Sequence, residues 1–158
     1  MPGDRLQRMI DLAETFFGTK NDPSQLAITP EVMERLRRIH PRSMTETADD
    51  QGPYVWIILI PTTDGVMKEF LAGRIDEREL LERTPPNVAC EALYLCSALV
   101  LPEFRGQGLA LRAVCEAIAE IRTIHPLRTL FYWSFSGEGE RLAKAVARET
   151  GLPVRQRK

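Results

Sequence analysis

The sequence predicts an α/β protein with a mixed central β-sheet flanked by helices, formed as a single domain over residues 1–158. Two strand–helix units follow one another in the second half of the chain, over 90–124 and 127–150. Because a helix separates each strand from the next, we expect parallel pairing through right-handed crossovers. The length suits one domain, and 44% hydrophobic with 27% charged residues is ordinary for a globular protein.

The first two helices are predicted by apolar spacing and by a capping residue. Apolar residues recur at helical spacing over residues 6–17. Thr29 precedes a proline and a glutamate, which is typical of a helix N-terminus, and predicts a helix over 30–39. The segments 19–28 and 41–53 are polar, and the second is expected to be a mobile loop.

A buried strand is expected at 54–60, and two short helices are expected between residues 64 and 83. Thr63 is a suitable N-cap for the first of them. Asp76 and Glu79 have the spacing of a capping box at the start of the second. The segment 64–83 is therefore predicted to be helical.

The last third of the chain is expected to hold the central strand, two helices and a short final strand at 153–156. Side chains alternate across a strand, which predicts two faces. One face of the central strand carries Tyr94, Cys96 and Ala98, and the other carries Leu93, Leu95 and Ser97. The helix over 106–124 presents one apolar face, made of Ala110, Ala113, Val114, Ala117, Ile121 and Ile124.

Charge and cysteine content exclude several classes of partner. The net charge of −1 provides no basic footprint for a nucleic acid. The longest apolar run, 54–60, is much shorter than a membrane span, and Asp4 and Arg5 stand where a leader would be apolar. Three cysteines without paired spacing predict free thiols in a reducing compartment. We expect a cytoplasmic protein that binds neither membrane nor nucleic acid and has no metal site.

The most informative motif lies where the central strand ends. A turn at 102–104 separates that strand from Arg105-Gly106-Gln107-Gly108-Leu109-Ala110, which opens the next helix. Glycines at a helix start allow several backbone N–H groups to point at one anion, which the helix dipole also favours. Arg105 adds a positive charge beside that point. Such a turn is suited to a pyrophosphate.

Other interpretations of these glycines are a dinucleotide site, a P-loop and a simple helix cap. Leu111 stands where a dinucleotide site has its third glycine, and Glu138 is too far along the chain to bind the ribose. No Gly-Lys-Ser/Thr follows, which excludes a P-loop. An ordinary glycine turn that caps a helix stays open beside anion binding.

The motif resembles the acetyl-CoA-binding motif of the GNAT family of N-acetyltransferases. In that family a strand ends in Val-x-Pro, and the following helix begins at Arg/Gln-x-x-Gly-x-Gly/Ala. Val100-Leu101-Pro102 and 105–110 match each fixed position. The resemblance extends over 91–151. It implies a GNAT-like fold in which the helical segment 64–83 replaces part of the usual hairpin.

The resemblance implies acetyl-CoA as cosubstrate and an unknown amine as acceptor. It assigns backbone contacts with the pantetheine arm to Ala98, Leu99 and Val100. It assigns cofactor contacts in the loop to Arg105, Gly106, Gln107, Gly108, Leu109 and Ala110, with Ser134 as a further contact.

The catalytic residues that the resemblance suggests are Glu91, Tyr94 and Tyr132. Relatives carry a carboxylate base near the position of Tyr94, and a tyrosine is a poor base at neutral pH. Glu91, acting through a water molecule, is the alternative base. Ala147 stands where relatives have the tyrosine that protonates the thiolate, which leaves Tyr132 or Ser134 as substitutes.

Two classes of function follow from these residues. The first is an N-acetyltransferase in which the amine attacks acetyl-CoA directly, with Cys96 as a core thiol and not a nucleophile. The alternative is a non-catalytic acyl-CoA-binding or structural protein of the GNAT fold, which the missing tyrosine favours. We expect the helices of 64–83 and the N-terminal helices to line the acceptor cleft, and a homodimer to cover the edge of the last strand.

Overall fold

The computed structural model describes residues 2–17, 29–133 and 137–157, and six helices and five strands lie within them. The helices are α1 (Pro2–Phe17), α2 (Pro30–Ile39), α3 (Asp64–Leu71), α4 (Glu77–Glu82), α5 (Leu109–Ile121) and α6 (Gly137–Thr150). The strands are β1 (Met44–Asp49), β2 (Gly52–Thr62), β3 (Ala92–Val100), β4 (Thr129–Trp133) and β5 (Val154–Arg157). None of the helices in these ranges is long and apolar enough to cross a membrane.

The five strands form one mixed sheet in the order β1-β2-β3-β4-β5. The pairs β1–β2 and β2–β3 are antiparallel, and the pairs β3–β4 and β4–β5 are parallel. The helices α5 and α6 make the two connections between parallel strands. The chain is thus an α+β protein with the mixed, helix-flanked sheet that the sequence predicts.

Each face of the sheet carries its own apolar cluster. The cluster under α5 and α6 contains Leu93, Val114, Ile118, Leu130 and Val146. The opposite cluster joins the sheet to α1, α2, α3 and α4 through Met9, Leu36, Phe70 and Leu80. The helical segment 64–83 therefore packs on the same face of the sheet as the N-terminal helices.

The predicted helix caps are present. The hydroxyl of Thr29 accepts a hydrogen bond from the backbone N–H of Val32, and that of Thr63 accepts one from Val66. The Asp76 carboxylate accepts from the N–H of Glu79, whose own carboxylate accepts from the N–H of Asp76. These bonds satisfy N–H groups that have no partner within the helix.

Three predictions of local structure are wrong. Residues 41–53 are not a loop, since they hold a 3₁₀ turn, β1 and the start of β2. The polar residues of β1 form a strand because they pair with the long strand β2. Strand formation depends on the adjacent strand as much as on the propensity of the residues themselves. The helix predicted to reach residue 124 ends at Ile121, so Ile124 is 66% exposed. The side chain of Ala98 lies on the face opposite to Tyr94, for the reason given below.

Candidate functional site

A β-bulge interrupts the pairing of β3 with β2 at Cys96. Ile58 pairs with Ser97 and Leu59 pairs with Leu95, which leaves Cys96 as the extra residue. A bulge shifts the alternation of side chains by one position. Tyr94 and Cys96 therefore belong to the cluster under α1–α4, whereas Ala98 belongs to the cluster under α5 and α6. The predicted common face of Tyr94, Cys96 and Ala98 is corrected accordingly.

The parallel pair β3–β4 separates close to the bulge. Within the part of the chain that the structure describes, the two strands pair from Ala92 to Tyr94 on β3, opposite Thr129 to Phe131 on β4. Beyond Tyr94, the described residues give β3 no partner strand on this side. The edge of β3 over residues 95–100 instead lines a cleft of about 560 Å³ between the sheet, α5 and α6. Backbone groups at an open strand edge are free to bond an extended ligand.

The glycine loop lies at one end of this cleft. Gly106 and Gly108 have φ angles of +80° and +72°, a backbone conformation that glycine adopts at little cost. Gly108 is the residue that precedes α5. No backbone N–H from Gly106 to Leu111 donates to a backbone carbonyl of the described chain. These donors lie at the N-terminal end of α5, where the helix dipole is positive.

Nine of the predicted site residues line the cleft. They are Ala98, Leu99, Val100, Arg105, Gly106, Gly108, Leu109, Ala110 and Tyr132. Gln107 is exposed between the two glycines and does not line it. Ser134 lies outside the described residues. The Nε of Arg105 donates to the carbonyl of Val100 over 3.0 Å, which fixes the loop to the end of β3.

Helix α1 holds the turn that leads into the loop. Two guanidinium nitrogens of Arg8 donate to the two carboxylate oxygens of Glu103, each over 2.7 Å. The pKa of Glu103 is lowered to about 2, chiefly by these hydrogen bonds. The guanidinium of Arg5 lies 5.1 Å from the ring centre of Phe104. Both contacts come from residues far away in sequence, and neither was expected.

Tyr132 is the predicted catalytic residue that lies in the cleft. It extends from β4 and is 6% exposed. Burial, followed by the charge of Glu140, raises the pKa of its hydroxyl. The group therefore stays protonated at neutral pH and can donate a hydrogen bond. Glu138 is the one carboxylate among the described lining residues, and it comes from the first turn of α6.

The other two predicted catalytic residues, Tyr94 and Glu91, do not line the cleft. Tyr94 is 1% exposed, and its hydroxyl donates to the carboxylate of Glu77 on α4. Glu91 precedes β3 at the end away from the glycine loop, where its carboxylate accepts from the backbone N–H of Asp64 over 3.3 Å. That contact places Glu91 at the start of α3 in a capping position.

Glu77 contacts Tyr94 and Cys96 of β3, and the sequence analysis did not single it out. Its side chain is 3% exposed, and Cys96 lies with its sulfur 4.0 Å from the Glu77 carboxylate. Burial and this carboxylate hold the pKa of the Cys96 thiol well above its usual value. The spacing of Glu77 to Leu80 and Leu81 was the available signal, because residues three and four apart share a helix face.

Arg157 was also missed. Its guanidinium lies 4.0 Å from the centre of the Trp133 ring and 4.5 Å from that of Phe70, and it donates to the carbonyl of Ile75. Stacking of this kind favours a guanidinium over other cations. These contacts attach the short strand β5 to the face that carries α3 and α4.

Comparison of the chain with models of known families, with curated proteins and with solved structures gives no match. Among residues 2–17, 29–133 and 137–157, no group of three or more His, Cys, Asp or Glu could hold a metal ion. The class of protein is therefore defined by its architecture. It is an α+β protein with a five-stranded mixed sheet, in which strands β3 and β4 separate close to the glycine-rich start of α5.

Proposed function

We propose that the chain is an N-acetyltransferase of GNAT-like fold that transfers the acetyl group of acetyl-CoA to an amine. One observation carries the proposal: the open edge of β3 and the start of α5 line the same cleft. An extended amide-bearing arm next to a pyrophosphate needs these two kinds of surface, a strand edge and a helix N-terminus.

The cleft has the polar groups that such a cosubstrate would need. The N–H groups of residues 106–111 without backbone acceptors would bind the pyrophosphate, with Arg105 beside them. The edge of β3 at residues 98–100 would bond the amides of the pantetheine arm. Apolar side chains such as Leu95, Leu109 and Val114 would contact its methylene groups.

The chemistry requires a proton to leave the amine and a proton to reach the sulfur. The amine nitrogen attacks the thioester carbonyl, the C–N bond forms, the C–S bond breaks, and CoA leaves as its thiol. Tyr132 supplies a hydroxyl in the cleft that can donate to the departing sulfur. Cys96 keeps its proton near neutral pH, which supports direct transfer without an acetylated cysteine.

The alternative is a non-catalytic acyl-CoA-binding or structural protein of this fold. It is favoured by Ala147, which cannot donate a proton, and by the absence of Glu91 and Tyr94 from the cleft lining. Under this alternative the chain binds acetyl-CoA or keeps only the fold.

Release of free thiol from acetyl-CoA, measured across a panel of amines, separates the two functions. The transferase predicts thiol release that depends on one class of amine and yields the acetylated amine in equal amount. Binding of acetyl-CoA without release supports the alternative, and the absence of binding contradicts both acyl-CoA functions.

A further inference from the structure

The register of β3 and β4 determines which side chains form the inner end of the cleft, the end away from the glycine loop. The last described pair of these parallel strands is Tyr94 with Phe131. Continued pairing would bring Cys96 opposite Trp133, two residues further along each strand. Both of these residues instead line the cleft where the strands diverge, and both pack against the apolar cluster on the side of α1 to α4. The indole of Trp133 therefore belongs to the wall of the inner end.

The open edge of β3 separates the glycine loop from this inner end. Five residues lie between Val100 and Leu95, and at about 3.3 Å per residue they extend over about 17 Å. An extended pantetheine arm with its pyrophosphate at the glycine loop covers about this distance. Its thioester would then lie at the inner end, with the acyl chain directed at Trp133. The side chain of Leu12 on α1 lines the cleft as well.

Contacts from three other elements hold the Trp133 ring in this wall. Arg157 pairs with Trp133 in the register of β4 and β5, and its guanidinium lies 4.0 Å from the centre of the ring. The ring of Phe70 on α3 packs edge-on against the indole at a centroid distance of 5.9 Å. Arg157 also donates to the carbonyl of Ile75 over 2.8 Å. No described residue of the segment 64–83 lines the cleft itself, although its helices are expected to line the acceptor site.

We propose that Trp133, held by Arg157, limits the acyl chain that the cleft accepts, so that the donor is a short-chain acyl-CoA such as acetyl-CoA or propionyl-CoA. This inference rests on the proposed function, because it concerns the acyl group of the same cosubstrate. A longer chain would have to displace the indole and break its contacts with Arg157 and Phe70. Displacement is unfavourable because packed rings do not move to admit additional methylene groups without loss of contact.

Calorimetric titration with CoA, acetyl-CoA and hexanoyl-CoA tests the role of Trp133. We expect the wild type to bind hexanoyl-CoA at least about tenfold more weakly than acetyl-CoA, since single methylene groups in a tight pocket have effects of this size. Trp133→Ala should remove this difference and leave the affinity for free CoA unchanged. If Trp133→Ala does not fold, Trp133→Leu replaces it. Trp56→Ala is the matched control, because Trp56 is also half-buried but does not line the cleft.

Arg157→Met tests whether Arg157 acts as a positioning residue. Loss of the guanidinium from the indole should lower the preference for acetyl-CoA over hexanoyl-CoA by about threefold, the effect of one cation–π contact. Arg155→Met removes an exposed arginine from the same strand and should keep the wild-type preference. A merely structural role of Arg157 would weaken the binding of all three compounds equally and leave their ratio unchanged.

The outcomes separate this inference from the proposed function. Equal affinity of the wild type for acetyl-CoA and hexanoyl-CoA overturns the inference and leaves acetyl-CoA binding intact. An unchanged preference in a folded Trp133→Ala or Trp133→Leu overturns it in the same way. If none of the three compounds binds the wild type, the proposed function fails, and the inference fails with it.

Discussion

The hydroxyl of Tyr94 on β3 donates to the carboxylate of Glu77 on α4 over 2.5 Å, and both side chains are almost completely buried. The rings of Phe70 and Phe131 pack around Tyr94 with centroid distances of 4.9 and 5.1 Å. The helical segment 64–83 is thereby joined to the central strand by a polar contact inside an apolar cluster. Removing one partner of such a contact is costly, because the other polar group stays buried without its hydrogen bond.

We expect Tyr94→Phe to lower the free energy of unfolding by about 1–3 kcal/mol, because the buried carboxylate of Glu77 loses a donor. Urea unfolding measures the change. Tyr54→Phe is the matched control, since Tyr54 is half-buried and no hydrogen bond of its hydroxyl is found in the described chain. It should stay within about 0.5 kcal/mol of the wild type. Equal effects of the two substitutions would contradict this role of Tyr94.

The pKa of Tyr94 adds a pH test of the same contact. Burial, followed by the charge of Glu77, raises the pKa well above the ordinary value of 10.0. The folded state then binds a proton that the unfolded chain releases, so stability is lost as the pH rises above about 10. Tyr94→Phe should weaken this alkaline loss, whereas Tyr54→Phe should leave it unchanged.

Local signals in the sequence were sufficient for most of the elements. The caps at Thr29, Thr63 and Asp76 predicted helices that the structure contains, because capping depends on neighbouring residues only. The strand β1 could not be predicted in this way. Its polar sequence gains strand structure from pairing with β2, which is a contact between segments.

The candidate site was predictable only where it depends on local sequence. The glycine loop over 105–110 is a local motif, and five of its six residues, all except Gln107, line the cleft. The bulge at Cys96 carries no glycine or other local marker, so the shift of Ala98 to the other face could not be seen. The contact between Trp133 and Arg157 joins two strands, and no sequence spacing indicates it.

His40, which is buried beside the ring of His125, should make the fold sensitive to mild acid. The imidazole Nδ1 of His40 accepts from the N–H of Arg42, and the two rings lie 6.2 Å apart. Burial, followed by His125, lowers the pKa of His40 from 6.5. The unfolded chain therefore binds a proton before the folded one does, so stability is lost as the pH decreases from 6.5 through the folded pKa.

Urea midpoints between about pH 7.5 and about pH 5.5 test this expectation. His40→Asn keeps an acceptor for the Arg42 N–H but cannot be protonated in this range. Its midpoint should decrease less with acidification than that of the wild type. The same decrease in both proteins would show that His40 does not contribute.

Cys96 should be dispensable for acetyl transfer. Its thiol is buried beside the Glu77 carboxylate with a pKa well above the usual value, so little thiolate is present at neutral pH. Cys96→Ala should retain the transfer rate within about a factor of ten. Cys115→Ala, which removes a half-buried thiol on α5, is the control. A stable acetyl group on Cys96 in intact-protein mass spectra, with an inactive Cys96→Ala, would contradict direct transfer.

Tyr132→Phe should lower kcat by about a hundredfold, because the departing sulfur loses its donor in the cleft. The affinity for acetyl-CoA, measured by calorimetry, should not change, since the ring remains in the wall. Tyr54→Phe removes the same group from a residue that does not line the cleft. Unchanged kcat in Tyr132→Phe would remove this residue from the mechanism.

Melting with acetyl-CoA tests most directly whether the cleft between β3 and α5 is the acetyl-CoA site. A ligand at about 100 times its Kd stabilises a protein by about 2.7 kcal/mol. At about 2–4 °C per kcal/mol, the Tm of the wild type should increase by roughly 5–10 °C. The matched variants are Gly108→Val and Gly151→Val, which replace glycines with φ angles of +72° and +74° that have no heavy atom within 4 Å of an added Cβ. Both should lose similar intrinsic stability, about 1–2 kcal/mol.

Only Gly108→Val places a branched side chain at the loop that would bind the pyrophosphate. We therefore expect the increase in Tm with acetyl-CoA to persist in Gly151→Val and to disappear in Gly108→Val. No increase in the wild type at millimolar acetyl-CoA, or an equal increase in the two variants, would contradict binding at this loop.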